Sequence, residues 1–237
     1  MISLVIPFYN EVDRIERFLE GVKYCQNRNG LINELILVDD GSTDGTLSYL
    51  KQIKEQYEGS FKIKIVHYSI NKGKGYAIKL GVLAAQEEWV LCNDADLSYR
   101  LEQIDDWYEK KYLDFKQERT VYFGKRILND EQSKFFLHRI IIGKLFYLFI
   151  RLILRITISD TQCGFKLYKT SIAKMVFSNL KEERFAFDLE VIYKLKQDNY
   201  SIQHLPVHCY DIKGSKVNLI KDSINMFMAL FRIRMNN

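Results

Sequence analysis

At 237 residues, with 47% apolar and 27% charged side chains, the chain can bury one substantial core and has the composition of a folded domain, which excludes a disordered or fibrous polymer. Two prolines and 12 glycines, with no internal repeat or low-complexity tract, exclude a linker-rich array. The formal net charge of +5 is modest, but the basic residues concentrate after position 124, which points to an anionic partner.

The chain opens with MISLVIPFYNE, which has no basic leader and turns polar after nine residues, so it reads as a buried first strand and not as a signal peptide. Leu4 to Pro7 is that strand, and a helix follows to about Cys25 with Ile15, Phe18, Leu19 and Val22 on one face. The alternation returns as Glu34 to Asp39 then Thr43 to Tyr57, Lys62 to Tyr68 then Gly75 to Gln86, and Trp89 to Asn93 then Leu101 to Tyr112. Repeated strand–helix units of this kind build an α/β fold with a mostly parallel sheet flanked by helices on both faces. Cys25, Cys92, Cys163 and Cys209 form no CxxC pair and no zinc spacing with histidine, so they read as structural thiols of a reducing, cytosolic compartment.

Three strands open into polar turns: VIPFYNE (Val5 to Glu11), LVDDGSTDGT (Leu37 to Thr46) and NDADLS (Asn93 to Ser98). In open α/β sheets ligands bind beyond the carboxyl ends of the strands, and Asn10, Glu11, Asp39, Asp40, Asp94 and Asp96 all fall there. Carboxylates gathered on one rim call for a cation or hydrogen-bond donors, because an unpaired charge is costly to desolvate. The alternative is turn and helix-cap chemistry, which is the better reading for Ser42, Thr43 and Asp44. Asp94 and Asp96, two apart in a segment expected to be extended, would share one face and suit Mg²⁺ or Mn²⁺ held against a diphosphate leaving group.

NKGKGYAI (Asn71 to Ile78) is a glycine turn at a helix start, where backbone amides with Lys72 and Lys74 either meet phosphate or are simply solvated. TVYFGKR ends a further strand-like segment on Arg126, whose guanidinium suits a bidentate phosphate contact. From Lys134 to Ile158 the chain is strongly apolar, yet its longest charge-free run after Lys144, LFYLFI, is too short to cross about 30 Å of hydrocarbon. Lys144, Arg151 and Arg155 fall on one helical face, as in a helix lying on an anionic membrane surface. The final segment, KVNLIKDSINMFMALFRIR, is similar, with Lys221 and Arg232 beside Met226, Phe227, Leu230 and Phe231. Packing of the two helices against each other, or a homo-oligomer interface, is the alternative.

VIPFYNE, VDDGSTDGT, NKGKGYAI, DADLS, GKR and DTQCGFKLY (Asp160 to Tyr168) together resemble glycosyltransferase family 2 over almost the whole chain. Within it, DTQCGFKLY, RFAFDLEV (Arg184 to Val191) and KGSKV (Lys213 to Val217) most resemble dolichyl- or polyprenyl-phosphate β-glucosyltransferases, with dolichyl-phosphate mannose synthases as cousins. The resemblance implies a single domain of GT-A, Rossmann-like fold over residues 1–237, with 1–130 binding the nucleotide-sugar and 131–237 binding the acceptor and carrying membrane-associating helices. It implies that Pro7, Tyr9, Glu11 and Asp40 hold the nucleoside, with Asp39 as a weaker candidate, and that Asp94 and Asp96, with Ala95 between them, hold the metal-diphosphate. Ser98 stands where mannose synthases commonly place a metal-binding Gln, so the resemblance makes it the third position at the metal. Arg126 and Arg139 match basic positions for donor or acceptor phosphate, and Asp160 an acidic position near the acceptor.

An ionised lipid phosphate needs no strong general base, so those arginines and the metal matter more than any of the four histidines, which form no triad-like cluster. Asp160 would then orient the acceptor or a basic residue. The expected activity is inverting transfer of a hexose, glucose from UDP-glucose, to polyprenyl phosphate at the cytoplasmic face of a membrane, for cell-surface glycan synthesis. The alternatives are a saccharide acceptor, a GDP-mannose donor, and a catalytically idle nucleotide-binding protein. Nucleic-acid binding is disfavoured, since the basic residues alternate with long aliphatics and the rim is acidic.

Overall fold

Alternate residues of β1 (Ile2–Phe8) go to opposite sides of a seven-stranded sheet, Leu4, Ile6 and Phe8 to one buried cluster and Val5 to another. β2 (Ile32–Asp40) repeats the pattern, with Leu35 and Leu37 on the first side and Ile36 and Val38 on the second. A strand apolar on both faces must be covered on both faces. The computed structural model describes residues 1–28, 30–127, 147–157, 160–210 and 219–236. Its sheet has the order β3 (Lys62–Tyr68), β2, β1, β4 (Trp89–Cys92), β6 (Lys166–Lys169), β5 (Thr120–Ile127), β7 (Ser201–His208). Pairing is parallel from β3 through β4 and between β5 and β7, whereas β6 runs antiparallel to both β4 and β5.

One face is covered by α1 (Ile15–Arg28), α2 (Thr46–Tyr57) and α4 (Glu102–Glu109), which bury Phe18, Val22, Leu50, Ile53, Ile104 and Trp107. The other is covered by α3 (Lys74–Ala84), α5 (147–154), α6 (Thr170–Ser178), α7 (Phe187–Gln197) and α8 (Leu219–Asn236). Helix α3 lies so close to β1 that a Cβ on Gly81 would fall 2.3 Å from Val5 Cγ1, an approach that glycine alone permits. Glu34, fully buried, ties the sheet together below: it accepts from Ser3 Oγ at 2.5 Å and Gln86 N at 2.8 Å and pairs with Lys64 Nζ at 2.8 Å.

The expected alternation holds through α4, with corrections at the element ends. Helix α2 starts at Thr46 and not at Thr43, because Gly45 turns the chain at φ +93° and Asp44 takes the Thr46 N–H and hydroxyl. Helix α4 stops at Glu109 and not at Tyr112, since Lys111 enters the left-handed region at φ +56°. Strands β6 and β7 have no counterpart in the sequence reading. β6 is four residues long, and β7 is an edge strand with alternating exposure and an internal proline, Pro206, so neither gives the signal of a buried strand.

Among the described residues no helix is long and apolar enough to cross a membrane. Helices α5 and α8 pack together, with the Phe149 and Phe227 rings 5.0 Å apart, so the packing alternative is realised for their inner faces. Their outer faces leave Leu148, Arg151 and Leu152, and Met228, Phe231 and Met235, exposed. Arg155 is exposed too but follows the end of α5 at φ +55°, so it does not continue the helical face expected to carry it with Arg151. Arg139, Lys144 and Lys213 to Val217 lie outside the described residues. Because β1 sits between β2 and β4, strand order reverses there, and the carboxyl ends of these strands form the crevice where an open α/β sheet takes its ligand.

Candidate active site

Two of the polar turns are stitched to each other at this crevice. Asn10, at φ +53°, accepts from Thr43 N through Oδ1 at 2.8 Å, and its own N–H reaches Ser42 Oγ at 3.0 Å. Glu11 N donates to Thr46 Oγ1 and Val12 N to Asp44 Oδ2, so Ser42, Thr43 and Asp44 do serve as turn chemistry. Pro7 is the next-to-last residue of β1, Tyr9 is exposed on the rim, and Glu11 pairs with Arg14 at 2.6 Å.

The two aspartates that end β2 face opposite ways, as strand alternation demands. Asp40 accepts from Asn71 Nδ2 at 2.8 Å, Lys72 N at 2.7 Å and Gly73 N at 2.9 Å, which fixes the NKGKG turn. Asp39 holds His67 Nδ1 at 2.8 Å through Oδ2, and its buried Oδ1 has no hydrogen-bond partner among the described residues. Lys72 lays its ammonium over the Tyr76 ring, 4.4 Å from the centroid, so Lys74 is the lysine of this turn that faces the acidic site.

Asp94 and Asp96 sit in a turn, which corrects the expectation of an extended segment. Leu97 N bonds back to Asp94 O at 3.1 Å and Leu97 takes φ +44°. Asn93 secures the turn from below, donating to Tyr99 O and accepting Asp94 N. Asp94 Oδ1 meets Lys74 Nζ at 2.5 Å, and Asp96 Oδ1 accepts both Ser98 N and Ser98 Oγ while Oδ2 lies 3.9 Å from Arg14. Ala95 is buried between them.

The DTQCGF segment joins this turn to the second basic site. A Cβ on Gly164 would lie 2.5 Å from Asp94 Oδ2, so this glycine packs directly against the Asp94 carboxylate. Four residues earlier in the chain, Asp160 takes a fork from Arg126, Nε to Oδ2 at 2.9 Å and Nη2 to Oδ1 at 3.0 Å. Burial works against both charges, but the pairing outweighs it, lowering the Asp160 carboxyl and raising the Arg126 guanidinium.

Behind Lys74 lies a pair that the sequence reading missed. Lys166 of β6 and Asp188 of α7, both buried, are hydrogen-bonded to each other. Burial raises the Asp188 carboxyl even though Lys166 and Lys74 pull it down. For Lys74, burial alone would lower the ammonium, yet Asp94 and Asp188 outweigh it and hold it above the ordinary lysine range. Signs thus alternate inward along Asp94, Lys74, Asp188 and Lys166. The available signal was a charge inside each of two apolar runs, GFKLY and FAFDLE. Arg14, which stands in no motif, was missed as well, and Asn71, the first residue of NKGKGYAI, was not singled out as the partner of Asp40. Burial pushes the Cys92 thiol up to about 12 and that of Cys163 to about 11, so these are inert structural thiols.

The donor set fits a hard divalent cation of a particular kind. Among the described residues no three His, Cys, Asp or Glu side chains could hold a metal by themselves. Mg²⁺ and Mn²⁺ are commonly bound by one or two carboxylates with water and substrate phosphate completing the shell, and Asp94 and Asp96 supply that number.

Comparison with known proteins places the chain in context. The family model for Glycosyl transferase family 2 matches residues 3–177. A dolichyl-phosphate beta-glucosyltransferase of Trichomonas vaginalis, ALG5D, is 33% identical over 98% of this chain and 72% of its own length. The Saccharomyces cerevisiae dolichyl-phosphate beta-glucosyltransferase is 32% identical over 99% of this chain and 74% of its own, and the Homo sapiens one is 30% identical over 99% and 75%. Among solved structures, glucosyl-3-phosphoglycerate synthase from Mycobacterium tuberculosis, in complex with Mn²⁺, UDP and phosphoglyceric acid, shares the fold with a TM-score of 0.71 at 16% identity, covering 99% of this chain and 78% of that one.

Proposed function

This chain belongs to glycosyl transferase family 2, and on that premise we propose that it transfers glucose from UDP-glucose to the phosphate of a polyprenyl or dolichyl lipid. It is a hexosyltransferase of GT-A fold. The observation that carries the choice of acceptor is the Arg126–Asp160 fork, joined to the Asp94 turn by one short glycine-bearing segment. It sets a guanidinium suited to one phosphate beside an acidic turn suited to a metal-bound diphosphate.

In this reading Pro7, Tyr9, Glu11, Asp39 and Asp40 border the nucleoside, Asp40 by shaping the turn against which it lies. A divalent cation at Asp94 and Asp96, with Ser98 beside them, supplies Lewis-acid charge to the diphosphate when bound. Lys74 adds a fixed ammonium at the same rim. Arg126, joined by Arg139, holds the lipid phosphate, and Asp160 keeps the Arg126 fork aimed. An oxygen of that phosphate attacks the anomeric carbon from the side opposite the leaving group; the carbon–oxygen bond to UDP breaks, its electron pair leaving with UDP. The configuration inverts, and no proton has to be removed from the nucleophile. Residues 1–130 serve the donor, except that Arg126 near their end turns to the acceptor, and 131–237 supply the rest of the acceptor site. The exposed apolar stripes of α5 and α8, with Arg151 on α5 and Arg155 just past its end, support peripheral attachment to the cytoplasmic face of an anionic membrane.

The test is incorporation of radiolabelled sugar into organic-extractable product, with UDP-glucose or GDP-mannose, undecaprenyl phosphate, and Mn²⁺ or Mg²⁺. Label in the chloroform phase from UDP-glucose alone is expected. Label from GDP-mannose alone would overturn the sugar, and label only in water-soluble saccharide would overturn the acceptor.

A further inference from the structure

Helix α8 reaches the donor turn through a short series of contacts. Arg232 of α8 grips Glu182 with a fork, Nε to Oε1 and Nη2 to Oε2, each at 2.8 Å. The segment that Glu182 begins is pinned at its other side by Glu190 of α7, fully buried, which accepts Lys181 N at 2.9 Å and Glu182 N at 2.7 Å. One residue on, Glu183 O accepts Tyr76 N at 3.0 Å, in the first turn of α3. A Cβ on Gly73 would lie 2.8 Å from Glu183 O, and one on Gly75 2.7 Å from Glu182 O. The backbone of Glu182–Glu183 is therefore pressed directly against the NKGKG turn, and Lys74, which meets Asp94, stands between those two glycines. At such distances there is no slack, so a displacement of the segment moves the turn.

The helix is well seated for this role. Ala229, Leu230 and Ile233 are buried in the core, Lys181 Nζ reaches Asn236 O at 2.9 Å, and Arg234 reaches the Tyr193 hydroxyl at 2.8 Å. Nearer its middle, Met226 Sδ accepts from Gln162 Nε2 at 3.4 Å, so α8 also touches the segment that carries Asp160. One helix thus contacts the element behind the donor turn and the element that aims Arg126.

We propose that Arg232 is a positioning residue for the donor: through Glu182 it holds the Glu182–Glu183 segment against the NKGKG turn, so that the seating of α8 sets nucleotide affinity. The inference rests on the donor reading given above. By linkage, nucleotide binding must in turn steady α8.

The experiment is titration of the full chain with UDP in saturating Mn²⁺, for the wild type, Glu182→Arg, Arg232→Glu and the double swap. Each single reversal sets like charges face to face and is expected to weaken UDP binding by roughly three- to tenfold, and the double swap should recover most of it. The KM for the lipid phosphate should move less than the KM for UDP-glucose, and amide exchange in α8 should slow when UDP and Mn²⁺ are added. Wild-type affinity in both single variants, or equal loss in the singles and the swap, overturns the proposal while leaving the donor site intact. Melting curves identify a variant that fails to fold, in which case Arg232→Gln replaces it and must still weaken UDP binding by about twofold or more. Failure of the wild type to bind UDP overturns the donor reading and this inference with it.

Discussion

Replacing Lys166 with methionine tests the alternating charges behind the active site. Lys166 and Asp188 are 3% and 5% exposed, so neither can recover its hydration if the other is removed. Methionine keeps an apolar stem against the Phe123 and Phe187 rings, which lie 5.3 and 5.9 Å from Nζ, so the loss is one of charge more than of volume. Breaking one side of a buried pair costs about 3–5 kcal/mol, which in a chain of this size lowers Tm by roughly 6–20 °C at about 2–4 °C per kcal/mol. The pH dependence has a defined sign. Burial already raises the Asp188 carboxyl above 3.8, and removing Lys166, which pulls it down, must raise it further. Between 3.8 and that raised value the native state binds more protons than the unfolded one, so stability is fully present below 3.8 and declines as pH rises toward the native pKa. Lys166→Met should therefore be most destabilised at about pH 8 and regain part of its loss at about pH 5. Urea denaturation followed by circular dichroism at a series of pH values measures this. A loss under about 1 kcal/mol, the scale of an exposed pair, or one that does not change with pH, would refute the reasoning. Lys166→Met combined with Asp188→Leu should be more stable than Lys166→Met alone, because the unpaired Asp188 carboxylate is gone while Lys74 keeps Asp94.

Asp96→Asn keeps an acceptor for Ser98 N and should melt within a few degrees of wild type, while transfer falls about 100-fold or more; near-normal turnover would sink the metal-clamp role. Arg126→Lys keeps the charge but loses the fork to Asp160, and should raise the KM for lipid phosphate about tenfold with a smaller effect on the KM for UDP-glucose. An unchanged lipid KM would remove Arg126 from the acceptor site. For Glu34, burial raises the carboxyl but Lys64, Ser3 and the Gln86 amide outweigh it and hold it below 4.5, so its stabilisation is present above 4.5 and lost as pH falls through the native value. Glu34→Gln should cost about 1–3 kcal/mol at neutral pH, with the gap to wild type closing in acid; a gap that widens there would contradict the assignment.

The order of strands and helices through α4 was legible because it rests on local periodicity. β1 and β2 announce themselves by apolar residues on both faces, and the turns VIPFYNE, DGSTDGT and NDADLS mark where those strands end. The positions that meet at the rim followed from that order alone, since parallel strands joined by helices present the same end to the same side. Tertiary structure decided what each carboxylate does there. Asp40 is spent on the NKGKG turn and Asp94 on Lys74, partners 31 to 33 and 20 positions away that no short period connects, whereas Asp96 takes its local neighbour Ser98, two positions on. Likewise β6 enters between β4 and β5 and brings Lys166 to Asp188 across 22 residues, because the antiparallel register with Cys92 and Phe123 fixes where its side chains point. Sequence patterns record which face of an element is buried, because burial repeats along the element; they do not record which charge it will meet, because that depends on strand order and register, set only when the whole sheet closes.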